Sequence, residues 1–345
     1  PENIGSGPFI FDKNAWVPGS KIVYRKNKNY VPRSEPASYA AGGKRVHFDT
    51  VEWIYIPDPA TSMNALMAGE VDFWETPAVD LVPSMEGNSD ITIKVIDPLG
   101  TQGWLRPNHL NPPFNNPKAR QALLHLASQE TYLRAIVGDE KFWSTCGTFF
   151  MCKTPLATDV GSEPLMNQDL EKAKQLLKEG GYNGETLVLM DPTDIPVLHG
   201  ASLVTAQLLR DIGVNVEVQA MDWSTLTSRR AEKKSVADGG WNIFHTYTTG
   251  ADASSPIANI GISGGCEEKA WFGWPCDKTI EQLRDDFSRE ADPAKQKHIA
   301  EKLQAVAYSV VPYVNYGQWF QPVAYRSNLK GVLISPVPFF WNIKK

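Results

Sequence analysis

Thr186-Leu187-Val188-Leu189-Met190, then a helical stretch over 197–211, then Val214-Asn215-Val216-Glu217-Val218-Gln219, is the run of sequence that decides the fold class. The outer segments are short, apolar and β-branched, as strands are, and the middle one is long enough for a helix. Working outward, Trp241–Thr246 reads as a further strand. Helices are expected at about 168–179, ended by Gly180-Gly181, and at about 223–235, 278–289 and 293–310. The last has Asp292 as cap, Pro293 in its first position, an Ile299/Leu303/Val306/Val310 stripe and Pro312 as stop. Asn116-Pro117 starts another in the same way, with Ala119, Leu123, Leu126 and Ala127 on one face. Strands alternating with helices over about 110–312 predict an α/β lobe.

Upstream, residues 1–60 read as strands. The turn Val17-Pro18-Gly19-Ser20 folds Phe9–Trp16 against Lys21–Arg25. Val51–Ile56, a helix from about Ala60 to Met67 stopped by Gly69, and Val71-Asp72-Phe73 form a strand–helix–strand unit. Pro107, Pro112, Pro113 and Pro117 sit among asparagines over 105–118, which reads as a stiff segment crossing between lobes, and the tail from Tyr313 returns to strand and loop.

Composition bounds the function. A chain of 345 residues exceeds one small domain and suggests two lobes. A hydrophobic share of 42% supplies a sizeable core. The net charge of −5, with no lysine or arginine stripe, excludes a nucleic-acid footprint. No apolar run approaches the ~20 residues that span a bilayer. The 11 tryptophans are many for this length, and such a surplus lines ligand pockets as well as cores. The cysteines form two close pairs, Cys146/Cys152 and Cys266/Cys276, without metal-site spacing. They read as two local disulfides of an exported protein; three connectivities are formally open, and four reduced, buried thiols of a cytosolic protein are the alternative. The six histidines show no metal-binding spacing, and His245, two residues from Tyr247 on one strand face, is the one placed near a cleft.

Ile4-Gly5-Ser6-Gly7-Pro8-Phe9, followed by Trp16-Val17-Pro18-Gly19 and Arg25-Lys26-Asn27-Lys28-Asn29-Tyr30, resembles the mid-chain run of family 5 extracellular solute-binding proteins, the oligopeptide, dipeptide, nickel and glutathione receptors of ABC importers. Ala65-Leu66-Met67-Ala68-Gly69-Glu70-Val71-Asp72, Asn111-Pro112-Pro113-Phe114, Ala173-Lys174-Gln175-Leu176-Leu177 and Trp241-Asn242-Ile243-Phe244 follow in family order. The resemblance implies an α/β, periplasmic-binding-protein-like fold of the peptide-binding cluster. Its first lobe would be partial (1–105 with the return 316–345, the N-terminal portion being absent) and its second would span 106–315. It also implies a monomer exported to the periplasm, its leader outside these residues, without cofactor or metal, which closes on a small solute or short peptide and presents it to a membrane permease.

The same resemblance places Asp252 opposite the ligand's α-ammonium, although the family's continuation after that aspartate is replaced here by Ala253-Ser254-Ser255-Pro256. Trp104, Trp223, Tyr247, Trp271, Trp274 and Trp319 are candidate aromatic walls, with Trp271 and Trp274 inside the Cys266–Cys276 loop. Asp222 reads as a helix cap, and Arg229-Arg230 as a solvated helix face or a bidentate carboxylate partner. Two other functions compete with import. Gly261-Ile262-Ser263-Gly264-Gly265 satisfies the serine-hydrolase elbow pattern but lacks a helix start after it. A binding module feeding a chemoreceptor or sensor would use the same closure.

Overall fold

A computed structural model describes residues 4–345; the opening Pro1-Glu2-Asn3 lies outside the described residues. The chain divides into two compact units, Pro1–Pro98 with Phe320–Lys345, and Leu99–Trp319.

The first unit holds two three-stranded antiparallel sheets. One orders β1 (Phe9–Phe11), β2 (Lys21–Lys26) and β3 (Thr50–Ile54), with Phe11 opposite Tyr24 and Ile22 opposite Trp53. Ile10, Ile22 and Ile54 on this sheet are exposed. The other sheet orders β4 (Phe73–Trp74), β12 (Pro322–Arg326) and β5 (Ile91–Val95), so a tail strand runs through its centre. The helix Pro59–Ala68 forms as expected, its first turn capped by Asp58 and its end turned by Gly69 at φ 78°. The strands flanking it, however, join different sheets. The strand–helix–strand run is therefore no βαβ unit; β12 has taken the place beside β4 that β3 would have filled.

The second unit is built on one six-stranded sheet. Its strands are β6 (Thr101–Pro107), β7 (Trp143–Ser144), β8 (Leu187–Pro192), β9 (Val216–Met221), β10 (Ile243–Thr249) and β11 (Val314–Trp319), in the order β7-β11-β6-β10-β8-β9. The opening stretch of the sequence is the parallel β8–helix–β9 crossover, with the helix at Pro196–Asp211, and β10 pairs parallel to β8. β6 pairs antiparallel to both β10 and β11 and fills the centre. The expected caps hold, Asn116 on Pro117–Leu126 and Asp292 on Pro293–Val310, and Asp169 and Asp277 likewise cap Leu170–Glu179 and Lys278–Arg289. The helix expected to reach 235 ends at Arg229.

The division at Pro98/Leu99 and Trp319/Phe320 corrects the expected boundaries at 105 and 315. β6 pairs with β10 along its whole length and with β11 on either side of an irregularity between Asn315 and Gln318, so both are strands of the second unit, and the prolines from 107 onward end β6 rather than crossing between units. Aromatic stacking fills the core behind them, Trp104 on Tyr313 at 4.5 Å and Tyr132 on Tyr316 at 5.1 Å. Gly261 is a glycine because a Cβ there would meet the Trp104 ring at 2.6 Å. Cys146–Cys152 and Cys266–Cys276 are both disulfide-bonded.

Candidate functional site

Parallel strands point their carboxyl ends to one edge, and that edge is where open α/β sheets hold ligands. In the second unit it is formed by Pro192, Met221 and Thr249, the last residues of β8, β9 and β10. Thr101, the first residue of β6, lies in register with both Thr249 and Trp319, so the unit's two chain ends, Leu99 and Trp319, lie at the same edge.

The backbone turns sharply here. The Gly250 amide donates to the Gly100 carbonyl at 2.6 Å. A Cβ on Gly250 would come within 2.5 Å of Leu99 Cβ and 2.8 Å of its carbonyl oxygen, so only glycine fits. Thr249 then caps the single turn Gly250–Ala253: its Oγ1 accepts from the Asp252 amide at 3.2 Å and donates to Asp252 Oδ2 at 2.9 Å. That reciprocal bond aims an exposed carboxylate from the strand end, and no lysine or arginine among the described residues pairs with it. Near the end of the same strand, Tyr247 is 45% exposed and meets the Trp319 ring edge-on at 5.8 Å. An open depression of 490 Å³ adjoins the turn, lined by Leu99, Leu156, Ser254, Ser255 and Phe287 among others. The arrangement offers an anionic acceptor, an aromatic wall and an apolar recess.

The structure sorts the other candidates by depth. Asp252, Tyr247 and Trp319 are together at this edge, although Trp319 is only 4% exposed and backs Tyr247. Trp104 is a correction: it is 2% exposed, and its indole nitrogen donates to Gln102 Oε1 at 2.8 Å inside the core. His245 is a second correction. It lies on Tyr247's side of β10 as expected, but the helix Pro196–Asp211 covers that side, bringing Thr205 Oγ1 to 2.8 Å from Nε2 and Ser202 Oγ to 3.3 Å from Nδ1. Burial there pushes the imidazole down to about 3, which keeps it neutral.

Trp223, Trp271 and Trp274 form a separate cluster with Val188, Met190, Leu226, Trp241 and Phe244. Trp274 is buried against Trp241, a third correction, while Trp223 and Trp271 are half-buried. Asp222 is the helix cap it was read to be, accepting from the Thr225 amide. Sequence reasoning missed Arg106. This wholly buried guanidinium donates to the carbonyls of Gly261 at 2.6 Å and Phe272 at 2.6 and 3.0 Å, and packs over the Trp271 ring. Burial lowers it to about 9. The available signal was an arginine directly following the apolar stretch Gly103-Trp104-Leu105.

The hydrolase alternative loses its nucleophile. Ser263 follows a 3₁₀ turn rather than a strand, and its hydroxyl donates to Glu281 Oε1 at 3.2 Å. No histidine among the described residues bonds it.

Solved structures of solute-binding proteins share this two-unit α/β fold. AgaA from A. tumefaciens R10, in complex with agropinic acid, superposes with a TM-score of 0.78 at 20% identity, over 98% of this chain and 66% of that one. The oligopeptide-binding protein AppA of Bacillus subtilis, in complex with a nonapeptide, does so with a TM-score of 0.77 at 20% identity, over 96% and 64%. The chain belongs to the bacterial extracellular solute-binding proteins, family 5, whose middle-region model matches residues 1–269. A probable peptide ABC transporter periplasmic-binding protein of Sinorhizobium fredii, y4tO, is 39% identical over 99% of this chain. The chain spans 65% of that relative's length.

Proposed function

We propose that this chain is part of a periplasmic solute-binding protein that captures a small, peptide-like solute and hands it to the permease of an ABC importer. The observation that carries this reading is the exposed Asp252 carboxylate, paired with no lysine or arginine among the described residues and held by Thr249 at the carboxyl-end edge of the sheet, where the same strand end carries the exposed Tyr247. A carboxylate in that position suits the ammonium of a peptide or amino-acid-like solute through a charge-assisted hydrogen bond. The family's shared role supports binding rather than catalysis, and closure on the solute needs only differential contacts in the closed state. The protein acts as an exported monomer in this reading, and needs neither metal nor nucleic acid.

The test begins with mass spectrometry of whatever co-purifies with the whole gene product. Calorimetry then compares wild type, Asp252→Asn and Tyr247→Ala with the identified solute. Stranding a desolvated ammonium costs ~2–5 kcal/mol, so Asp252→Asn is expected to weaken binding by that amount, chiefly through faster dissociation. Tyr247→Ala costs less, since it removes area and strands no charge. Unchanged affinity in Asp252→Asn removes the anchor.

A further inference from the structure

Arg230 is the arginine of the tryptophan cluster whose nitrogens find no acceptor among the described residues. Its guanidinium lies 4.5 Å from the Phe272 ring centre, 5.0 Å from Trp271, 5.4 Å from Trp223 and 6.0 Å from Phe244. The Nε is buried without a hydrogen-bond partner, whereas neither Nη is both buried and unpartnered. No carboxylate among the described residues lies within ion-pair distance. Burial lowers its proton affinity, as expected for a cation lacking a counter-charge.

Arg106 supplies the internal comparison. It contacts the same Trp271 ring, also at 5.0 Å, and is more deeply buried, yet the fold brings it the carbonyls of Gly261, Trp271 and Phe272. A structural arginine in this cluster is thus given acceptors, and Arg230 is given none. The neighbouring cations are also spoken for: Arg229 donates to the carbonyls of Gly239 and Gly240, and Lys233 to that of Glu267. The rings hold the Arg230 plane in place, with the Nε edge shielded and the Nη edge left to an outside partner. Two of them, Trp271 and Phe272, sit in the loop closed by the Cys266–Cys276 disulfide, which presets the frame.

We propose that Arg230 and the surrounding rings form a carboxylate-binding site, taking an organic acid whose apolar body rests on the aromatic wall. A planar guanidinium offers two parallel donors that match a carboxylate, and it is weakly hydrated, so an apolar surround favours the pair. Nothing in this argument uses Asp252, and the site stands or falls separately from the solute reading.

Sodium acetate and sodium cyclohexanecarboxylate are titrated into the protein against sodium chloride at matched ionic strength, following tryptophan fluorescence. The expected result is a saturable change with both acids and a several-fold tighter midpoint for the cyclohexane acid, whose ring meets the wall. Arg230→Gln abolishes the saturable change, and Arg230→Lys, which keeps the charge but not the fork, raises the midpoint tenfold or more. Urea midpoints of both variants near that of wild type establish that they are folded, and Arg230→Lys alone carries the test where the glutamine variant is not. A linear response indistinguishable from chloride, or wild-type titration curves in the variants, overturns the proposal.

Discussion

Burial of His245 predicts a specific loss of stability in mild acid. The imidazole has no exposure, and its two nitrogens face the hydroxyls of Thr205 and Ser202 from the helix Pro196–Asp211. Its proton affinity falls from the ordinary 6.5 to about 3 because charging it inside this packing forfeits hydration. The unfolded chain therefore takes up a proton below pH 6.5 that the folded chain refuses until about 3, and stability falls as pH falls through that window. Each pH unit crossed costs about 1.4 kcal/mol, so moving from pH 7 to pH 5 removes roughly 2 kcal/mol through this residue alone. Burial lowers His109 and His125 as well, so the whole protein is expected to lose more than that. The difference between wild type and His245→Gln isolates the single contribution, because glutamine keeps a donor and an acceptor without titrating. Urea unfolding at pH 7 and pH 5, read by tryptophan fluorescence, gives both free energies. The gap between the two proteins should shift by about 2 kcal/mol in the variant's favour at the lower pH. Parallel behaviour within about half a kcal/mol refutes a buried, neutral His245 and reopens its place at a wet surface.

Two further outcomes follow from close packing. Arg106→Met is expected to destabilise the second unit by about 2–4 kcal/mol, because it strands the Gly261 and Phe272 carbonyls while relieving the buried charge; a urea midpoint unchanged from wild type contradicts the role given to those bonds. Gly250→Ala should force Leu99 and the Gly100 carbonyl apart and displace the turn that carries Asp252, lowering solute affinity at least tenfold; calorimetry showing wild-type affinity dissociates that turn from binding.

Much of the second unit was legible because its elements are punctuated locally. Asn116-Pro117 and Asp292-Pro293 start helices through their own side chains and rings, and such signals need no distant partner. Errors arose where the decision is made at long range. The proline run from 107 looks like a connection by composition, but whether a connection passes between units depends on which strands pair, and β6 and β11 pair inside one sheet. The apparent strand–helix–strand at residues 50–74 failed for the same reason, since the strand that completes the second sheet comes from the tail, about 250 residues away.

The site shows the same division within one strand. Alternation along β10 correctly puts His245 and Tyr247 on one side, because side-chain direction in a strand is a local property. Whether that side is wet is not local. The helix Pro196–Asp211 lies over His245, supplying Thr205 and Ser202, and Tyr247 two residues on is exposed at 45%. Period two thus fixes the face but leaves undetermined where the covering helix stops. Asp252 escapes this ambiguity because it follows Gly250, the first residue past β10, where the backbone packs too closely on Leu99 for any side chain. A polar residue just past such a turn lies at the sheet's rim whatever covers the faces, so the rim position of Asp252, which the sequence offered only through its order in the family motif, has a local physical cause in Gly250. Trp104 and Trp274 share their chemistry with Trp223 and Tyr247, and only packing depth sends the first two to the core and leaves the others partly open.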